Sequence, residues 1–241
     1  MIRLAAVGDL HFGDDSAGTW APHLAHLSEA ADALLLAGDL TRVGRADEAA
    51  VLAAELIDVQ VPVVAVLGNH DYHSDEAKAV VELLDGAGVV VLEGDSTVLS
   101  VRGETVGIAG TKGFGGGFPG NHATAFGEPE LKAFVEYSAA LGNGLRDALL
   151  ALDTDWKIAL MHYAPVKDTV QGERSEIFPF LGSYFLAEAV DAGGADLVVH
   201  GHAHHGTEKG VTPGGVHVRN VAQPILRRSY AVYCLGESPD G

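Results

Sequence analysis

The chain has little sulfur chemistry to draw on: of its 241 residues one is cysteine, Cys234, and two are methionine. A single thiol excludes an intramolecular disulfide and any zinc site built on several cysteines. Positive charge is scarce too, with 15 lysine and arginine residues against 33 acidic ones and a formal net charge of −18. That balance opposes association with long polyanions, so no stable binding to duplex nucleic acid is expected. Long apolar runs are missing: ALLLAG (33–38) and VPVVAVLG (61–68) are far too short to cross a bilayer. The first residues show neither a charged region, nor a long apolar stretch, nor a small-residue cleavage site. A cytoplasmic protein with no membrane contact is therefore expected.

What is present is apolar mass. Hydrophobic residues make up 47% and charged ones 20%, which is enough for one large core, and a single domain over residues 1–241 of α/β type follows. Apolar strands ending at glycine are read at 2–8, 33–38 and 61–68, with helical spacing at 23–33 and 45–59 between them. A further helix is expected within 74–88, opening on Ser74 as N-cap and closing at Gly86 or Gly88. This is a βαβ rhythm. Residues 96–110 then read as a hairpin around Arg102-Gly103-Glu104. After a glycine-rich loop come a long helix from Glu128 to about Leu152, a strand in KIALMHYAP, and a second β-rich region containing ADLVVHG, GVHVRNVA and SYAVYCLG. The two β-rich parts most simply form two packed sheets with helices outside.

Five short signals stand where apolar runs end: GDLH (8–11), GDL (38–40), GNHD (68–71), MHYAP (161–165) and HGHAH (200–204). Strand ends of layered sheets are where such folds collect their sites. Carboxylate, amide oxygen and imidazole without thiolate suit a divalent cation of the Mn²⁺, Fe or Zn²⁺ kind. Two such cations about 3.5–4 Å apart clamp the attacking and leaving oxygens of an in-line displacement. Singly, each block has an ordinary explanation as a turn, an N-cap or a surface histidine tract. Their recurrence in order is what argues for a site.

That order, Asp-x-His, Gly-Asp, Gly-Asn-His-Asp, His and Gly-His-x-His, resembles the calcineurin-like metallophosphoesterase superfamily, over residues 7–204. The resemblance implies a four-layer α/β/β/α sandwich of two packed mixed sheets flanked by helices. It also implies hydrolysis of phosphoesters by in-line attack of a hydroxide bridging two divalent metal ions. By the same resemblance Asp9, His11 and His204 are ligands of the first metal and Asp39 is the bridging carboxylate. Asn69, His162 and His202 are implied as ligands of the second. His70 would contact the phosphate and protonate the leaving oxygen, with Asp71 orienting its ring. The expected substrate is a small phosphorylated molecule, with a diester such as a cyclic nucleotide favoured over a monoester. A metal- or nucleotide-binding protein without activity, or an interaction scaffold on the same fold, is the alternative, though neither ligand nor phosphate-contacting histidine is missing.

Other features carry less. The loop TKGFGGGFPGNHATAF lacks the Gly-Lys-Ser/Thr end of a P-loop. It reads as a mobile rim over residues 111–127, with Phe114, Phe118 and Phe126 available to stack on a base. Lys167 and Arg174, in the segment after His162, are candidates to meet a phosphate oxygen. His200 is read equally as a supporting residue or as packing. His23, His26 and His205 read as surface residues, and His73 and His122 as loop residues.

Overall fold

The computed structural model describes residues 1–236. Its elements follow from the alternation of apolar residues along each strand. In β1 (Ile2–Val7) and β2 (Ala33–Ala37), Leu4, Ala6, Leu35 and Ala37 face one apolar cluster, whereas Ala5, Val7, Leu34 and Leu36 face another. A strand buried on both faces needs cover on both. β3 (Val63–Val66) and β4 (Val89–Val91) continue the sheet in parallel. Helices α1 (Ala21–Leu24), α2 (Leu27–Ala30), α3 (Ala46–Leu56) and α4 (Ala77–Gly86) lay Leu24, Leu27, Leu52, Leu56, Val80 and Leu84 on its outer face.

The hairpin is formed by β5 (Asp95–Val101) and β6 (Glu104–Thr111). Its turn, Arg102-Gly103, has φ of 51° and 87°, the left-handed pair of a type I′ turn, which matches strand twist. The glycine-rich segment carries a minimal hairpin of β7 (Gly117–Phe118) and β8 (Asn121–His122). Helix α5 (Pro129–Ala151) opens on proline, whose missing N–H costs nothing in a first turn. There follow β9 (Trp156–Met161), α6 (Phe178–Leu181), α7 (Tyr184–Gly193), β10 (Leu197–His200), β11 (Lys209–Val211), β12 (His217–Asn220), α8 (Gln223–Leu226) and β13 (Ala231–Leu235).

One sheet runs β13-β1-β2-β3-β4 and the other β11-β12-β10-β9-β6-β5. Between them Leu4, Leu35, Val64 and Val66 interdigitate with Ile108, Ile158, Leu160 and Val199. On the far side of the second sheet α5 and α7 contribute Leu145, Leu149, Leu186 and Val190. The architecture is the expected four-layer α/β/β/α sandwich.

Several details differ from the sequence reading. The two sheets are not the two β-rich stretches of the chain. The early hairpin pairs with β9, and the last strand returns to lie antiparallel to β1. Alternation tells which residues are inward but not which strand is the neighbour. Residues 23–33 do not form one helix but two single turns, α1 and α2, broken at Ala25 and His26. The apolar spacing still serves, because Leu24 and Leu27 are both buried. Ser74 is not an N-cap: its hydroxyl donates to Val43 O at 2.7 Å, and α4 starts at Ala77. Among the described residues no helix is long and apolar enough to cross a membrane.

Candidate active site

Parallel strands β1, β2 and β3 all end at one edge of the first sheet, and β9 and β10 end at the same edge of the second. The five blocks therefore arrive together. The chain turns sharply there: Asp9, His11, Asp39 and His202 all hold positive φ, at 58°, 46°, 48° and 71°. Non-glycine residues in this region are strained, and such strain persists only where surrounding contacts enforce it. The enforcing contacts are on view: Asp9 N donates to Gly38 O (2.9 Å), His11 N to Asp39 O (3.0 Å) and His202 N to Asp9 Oδ2 (2.9 Å).

Three groups of side chains lie close enough for each to hold a metal ion: Asp9, His11 and His204; His11, Asp39 and His70; and Asp39, His162 and His202. Asp39 belongs to two of them and is almost wholly buried, as is Asp9. Nε2 of His11 and of His70 each lie 3.9 Å from Asp39 Oδ2, and His162 Nε2 lies 3.3 Å from Asp39 Oδ1. His204 Nε2 is 2.8 Å from Asp9 Oδ1, and Asn69 Oδ1 is 3.0 Å from His162 Nε2.

Backbone carbonyls fix the imidazole tautomers. His162 Nδ1 donates to Ala37 O at 2.9 Å, and burial keeps this ring neutral by holding its pKa well below the usual value. Its Nε2 thus presents a lone pair towards two oxygens, those of Asn69 and Asp39. Three electron-pair donors with no proton among them are what a divalent cation satisfies. His202 is likewise neutral, burial lowering it to about 3, and its Nε2–H donates to Phe180 O at 3.2 Å, which leaves the lone pair on Nδ1 available to a cation. His11 Nε2 is buried with no hydrogen-bond partner among the described residues. Burial raises the Asp9 carboxyl to about 6, a cost that a bound cation offsets. The donor set fits the expected metals.

His70 stands apart. Its ring is half-exposed, and Nδ1 donates to Arg42 O at 2.7 Å, so Nε2 alone can exchange a proton. The expectation that Asp71 orients this ring is corrected. Asp71 is fully buried and accepts from Leu40 N (3.1 Å), Thr41 N (2.8 Å), Thr41 Oγ1 (2.6 Å) and Gly68 N (2.7 Å). It ties the Asp39 loop to the Asn69 loop, and the Arg42 carbonyl does the orienting. The carbonyls of Ala37, Arg42 and Phe180 carry no residue-type signal, so no reading of side chains finds them.

Two block glycines have a tertiary reason. A Cβ on Gly38, at φ 79°, would lie 2.6 Å from His162 Nδ1, and one on Gly68 would collide with the backbone and carboxylate of Asp39. Of the rim candidates, Phe118 is buried against Phe178, Leu181 and Ala203 and cannot stack on a ligand. Phe114 packs on Phe134, Tyr137 and Tyr163, while Phe126 is exposed. The glycine-rich segment is tied down by Gly116 N to Pro179 O (2.6 Å) and Gly117 N to Gly182 O (2.8 Å). Lys167 Nζ lies 5.9 Å from the Phe178 ring, and Arg174 is exposed. His200 is buried behind the cluster, donating from Nδ1 to Gly201 O at 2.7 Å with Nε2 2.8 Å from Thr169 Oγ1.

Comparison with known proteins places this geometry. Among curated proteins, no sequence matches the chain. The phosphopantetheinyl hydrolase of Mycobacterium tuberculosis shares the fold, with a TM-score of 0.71 at 19% identity over 97% of this chain and 96% of that one. TT1561 of Thermus thermophilus superposes with a TM-score of 0.56 at 19% identity, over 96% and 98% of the two chains. A putative 5'-nucleotidase from Staphylococcus aureus does so at 0.57 and 15% identity, over 91% of this chain and 48% of its own. The family model for calcineurin-like phosphoesterases matches residues 2–206, a span holding all five blocks. The chain belongs to the calcineurin-like phosphoesterase family.

Proposed function

We propose that the chain hydrolyses a small phosphodiester, a cyclic nucleotide being the model case, with two divalent cations of the Mn²⁺, Fe or Zn²⁺ kind. The observation that carries this reading is the approach of His11, His70 and His162 to the buried Asp39 carboxylate. In this assignment Asp9, His11 and His204 would hold one cation and Asn69, His162 and His202 the other, and Asp39 would serve both. When bound, the cations make water acidic enough to attack at neutral pH and neutralise charge on the phosphoryl oxygens.

The chain's own residues do the rest. Ala37 and Phe180 hold the His162 and His202 rings in the tautomers that ligate. His70, with Nδ1–H committed to Arg42 O, delivers a proton from Nε2 to the leaving oxygen; positioned acids of this kind contribute roughly 10²–10⁴ in rate. Asp71 is a positioning residue. The net charge of −18 disfavours a dianionic monoester more than a monoanionic diester. We place the reaction in the cytoplasm, which a chain with a single thiol suits, and take residues 1–241 as one working unit.

The test is hydrolysis of bis-p-nitrophenyl phosphate and p-nitrophenyl phosphate by metal-stripped protein, with Mn²⁺, Fe²⁺ or Zn²⁺ restored. Metal-dependent release from the diester well above the monoester is expected. A monoester preference would redirect the assignment to a phosphatase. Two ions bound per chain without turnover of either would overturn hydrolysis in favour of a binding role.

A further inference from the structure

Lys112 is the only lysine or arginine buried among the described residues, with 5% of its surface exposed. Burying an ammonium is costly unless it is paired. None of the ion pairs among the described residues includes it, and Nζ has one hydrogen-bond acceptor, Gly113 O at 3.2 Å. Four rings surround it instead: Nζ lies 4.8 Å from the centroid of Phe114, 5.3 Å from Tyr72 and Tyr163, and 5.6 Å from Tyr137. Aromatic faces stabilise a cation but do not cancel its charge. An apolar side chain would fill such a cage without desolvating a charge, so the cage calls for a reason to hold a cation here.

Its location supplies one. β6 and β9 are paired in parallel up to Thr111 and Met161, so Lys112 sits beside His162, and the backbone N–H groups of His162 and Tyr163 both donate to Lys112 O at 3.1 Å. The cage is made of residues attached to the same centre. Tyr72 ends the Asn69-His70-Asp71-Tyr72 run, and the Tyr163 ring packs on His202 with centroids 4.3 Å apart. Burial lowers the pKa of the ammonium from its usual value, and the anionic groups that oppose this and hold the proton are Glu93 and Asp39. Glu93 is occupied elsewhere, accepting from Thr111 Oγ1 (2.8 Å) and from Lys112 N (3.1 Å).

We infer that Lys112 is a charge-setting residue: an ammonium, shielded from water by four rings, whose field adds to that of the second cation position and offsets, most for the more highly charged phosphoryl groups, the repulsion that the chain's net charge of −18 exerts on them. It acts through its field and through the backbone of His162, without touching the substrate. This rests on the reading of the centre as one that holds two cations. Its signature is a pair of effects of opposite sign. A positive charge beside a dication weakens binding of that dication while stabilising the phosphoryl anion placed on it.

The test uses Lys112→Met, which keeps length and fills the cage, and Lys112→Arg, which keeps the charge. Cation binding is read by calorimetry with Mn²⁺ or Zn²⁺ alone, folding by thermal melting, and kinetics with p-nitrophenyl phosphate and its bis ester. In Lys112→Met the weaker of the two cations should bind tighter, on the order of tenfold. Its kcat/KM for the monoester should fall several-fold more than for the diester, and inhibition by inorganic phosphate should weaken. Lys112→Arg should restore both. A merely structural lysine gives the opposite pattern, weaker cation binding and an equal loss on both substrates, and that result would overturn the inference. So would a Met variant indistinguishable from wild type. A wild-type chain that binds no second cation and turns over neither ester would bring down the functional reading itself, and the Lys112 inference with it.

Discussion

Asp71 gives a quantitative handle on how the centre is held. Its carboxylate spans two loops with four donors: Oδ2 takes Leu40 N and Gly68 N, and Oδ1 takes both the N–H and the hydroxyl of Thr41. Truncation in Asp71→Ala leaves three buried N–H groups without partners, at about 1–3 kcal/mol each when water cannot reach them. A total loss of roughly 3–5 kcal/mol is expected after relaxation, together with weakened metal binding. Asp71→Asn is a different case. Its amide can face Thr41 Oγ1, which is able to accept, while its oxygen keeps Leu40 N and Gly68 N, so one bond is lost, about 1–3 kcal/mol. Against that stands the removal of a buried charge. Burial raises the Asp71 carboxyl from 3.8 to about 6, the bonds from Gly68 and Thr41 opposing it in part.

A folded pKa above the unfolded one means that the protonated form is favoured in the native chain. The stability this group contributes is therefore present below about pH 4 and is lost as pH rises through 6. Between pH 5 and 8 the wild type loses about 1–2 kcal/mol from this site and Asp71→Asn loses nothing there. In a domain of this size that is roughly 3–6 °C in Tm. The assay is thermal unfolding of metal-free protein in chelator, at low concentration because the isoelectric point is near 4.8. The Tm of Asp71→Asn relative to wild type should climb across this window. A gap that stays constant with pH would refute the account of Asp71 as a desolvated carboxylate.

The remaining expectations concern the centre and its distant supports. Asp39→Ala should lose metal binding and activity together, whereas His70→Ala should retain two ions, measured by elemental analysis, while kcat falls about 10²–10⁴-fold. Loss of metal in the His70 variant would overturn the division between ligands and proton donor. Gly68→Ala forces a methyl group against Asp39, so at least about 3 kcal/mol of stability and the metal affinity should go, read by denaturant unfolding and calorimetry. Asp32, within hydrogen-bond reach of Arg3 (3.0 Å) and Arg102 (2.8 Å), is raised by partial burial and lowered more strongly by these arginines, so its folded pKa lies below the ordinary carboxylate value. Its contribution is present above about pH 4 and lost as pH falls through the folded value, so the roughly 1–2 kcal/mol penalty of Asp32→Asn at pH 7 should vanish in acid melts.

The sequence by itself determined the layers and which polar residues stand where the strands end. Alternating apolar residues in IRLAAV and ALLLA state that both faces of those strands are covered, because side chains in a strand point to opposite sides by geometry. That Asp9, His11, Asp39, Asn69, His162, His202 and His204 gather in one place was legible because each lies within a few residues of a strand end, and parallel strands end on one edge. What the tertiary structure alone decided is everything that depends on which strand is whose neighbour. The return of β13 to β1 and the docking of the hairpin on β9 are set by long-range pairing that a local pattern does not encode. The duty of Asp71 was misread for the same reason: its partners are backbone N–H groups at Leu40, Thr41 and Gly68, and every residue type has one. The tautomers of His162, His202 and His70 rest on carbonyls equally without a signature. Lys112 carries no signal in the sequence because its cage is drawn from Tyr72, Phe114, Tyr137 and Tyr163, four places brought together only when the loop after β3, helix α5 and the end of β9 close on the end of β6.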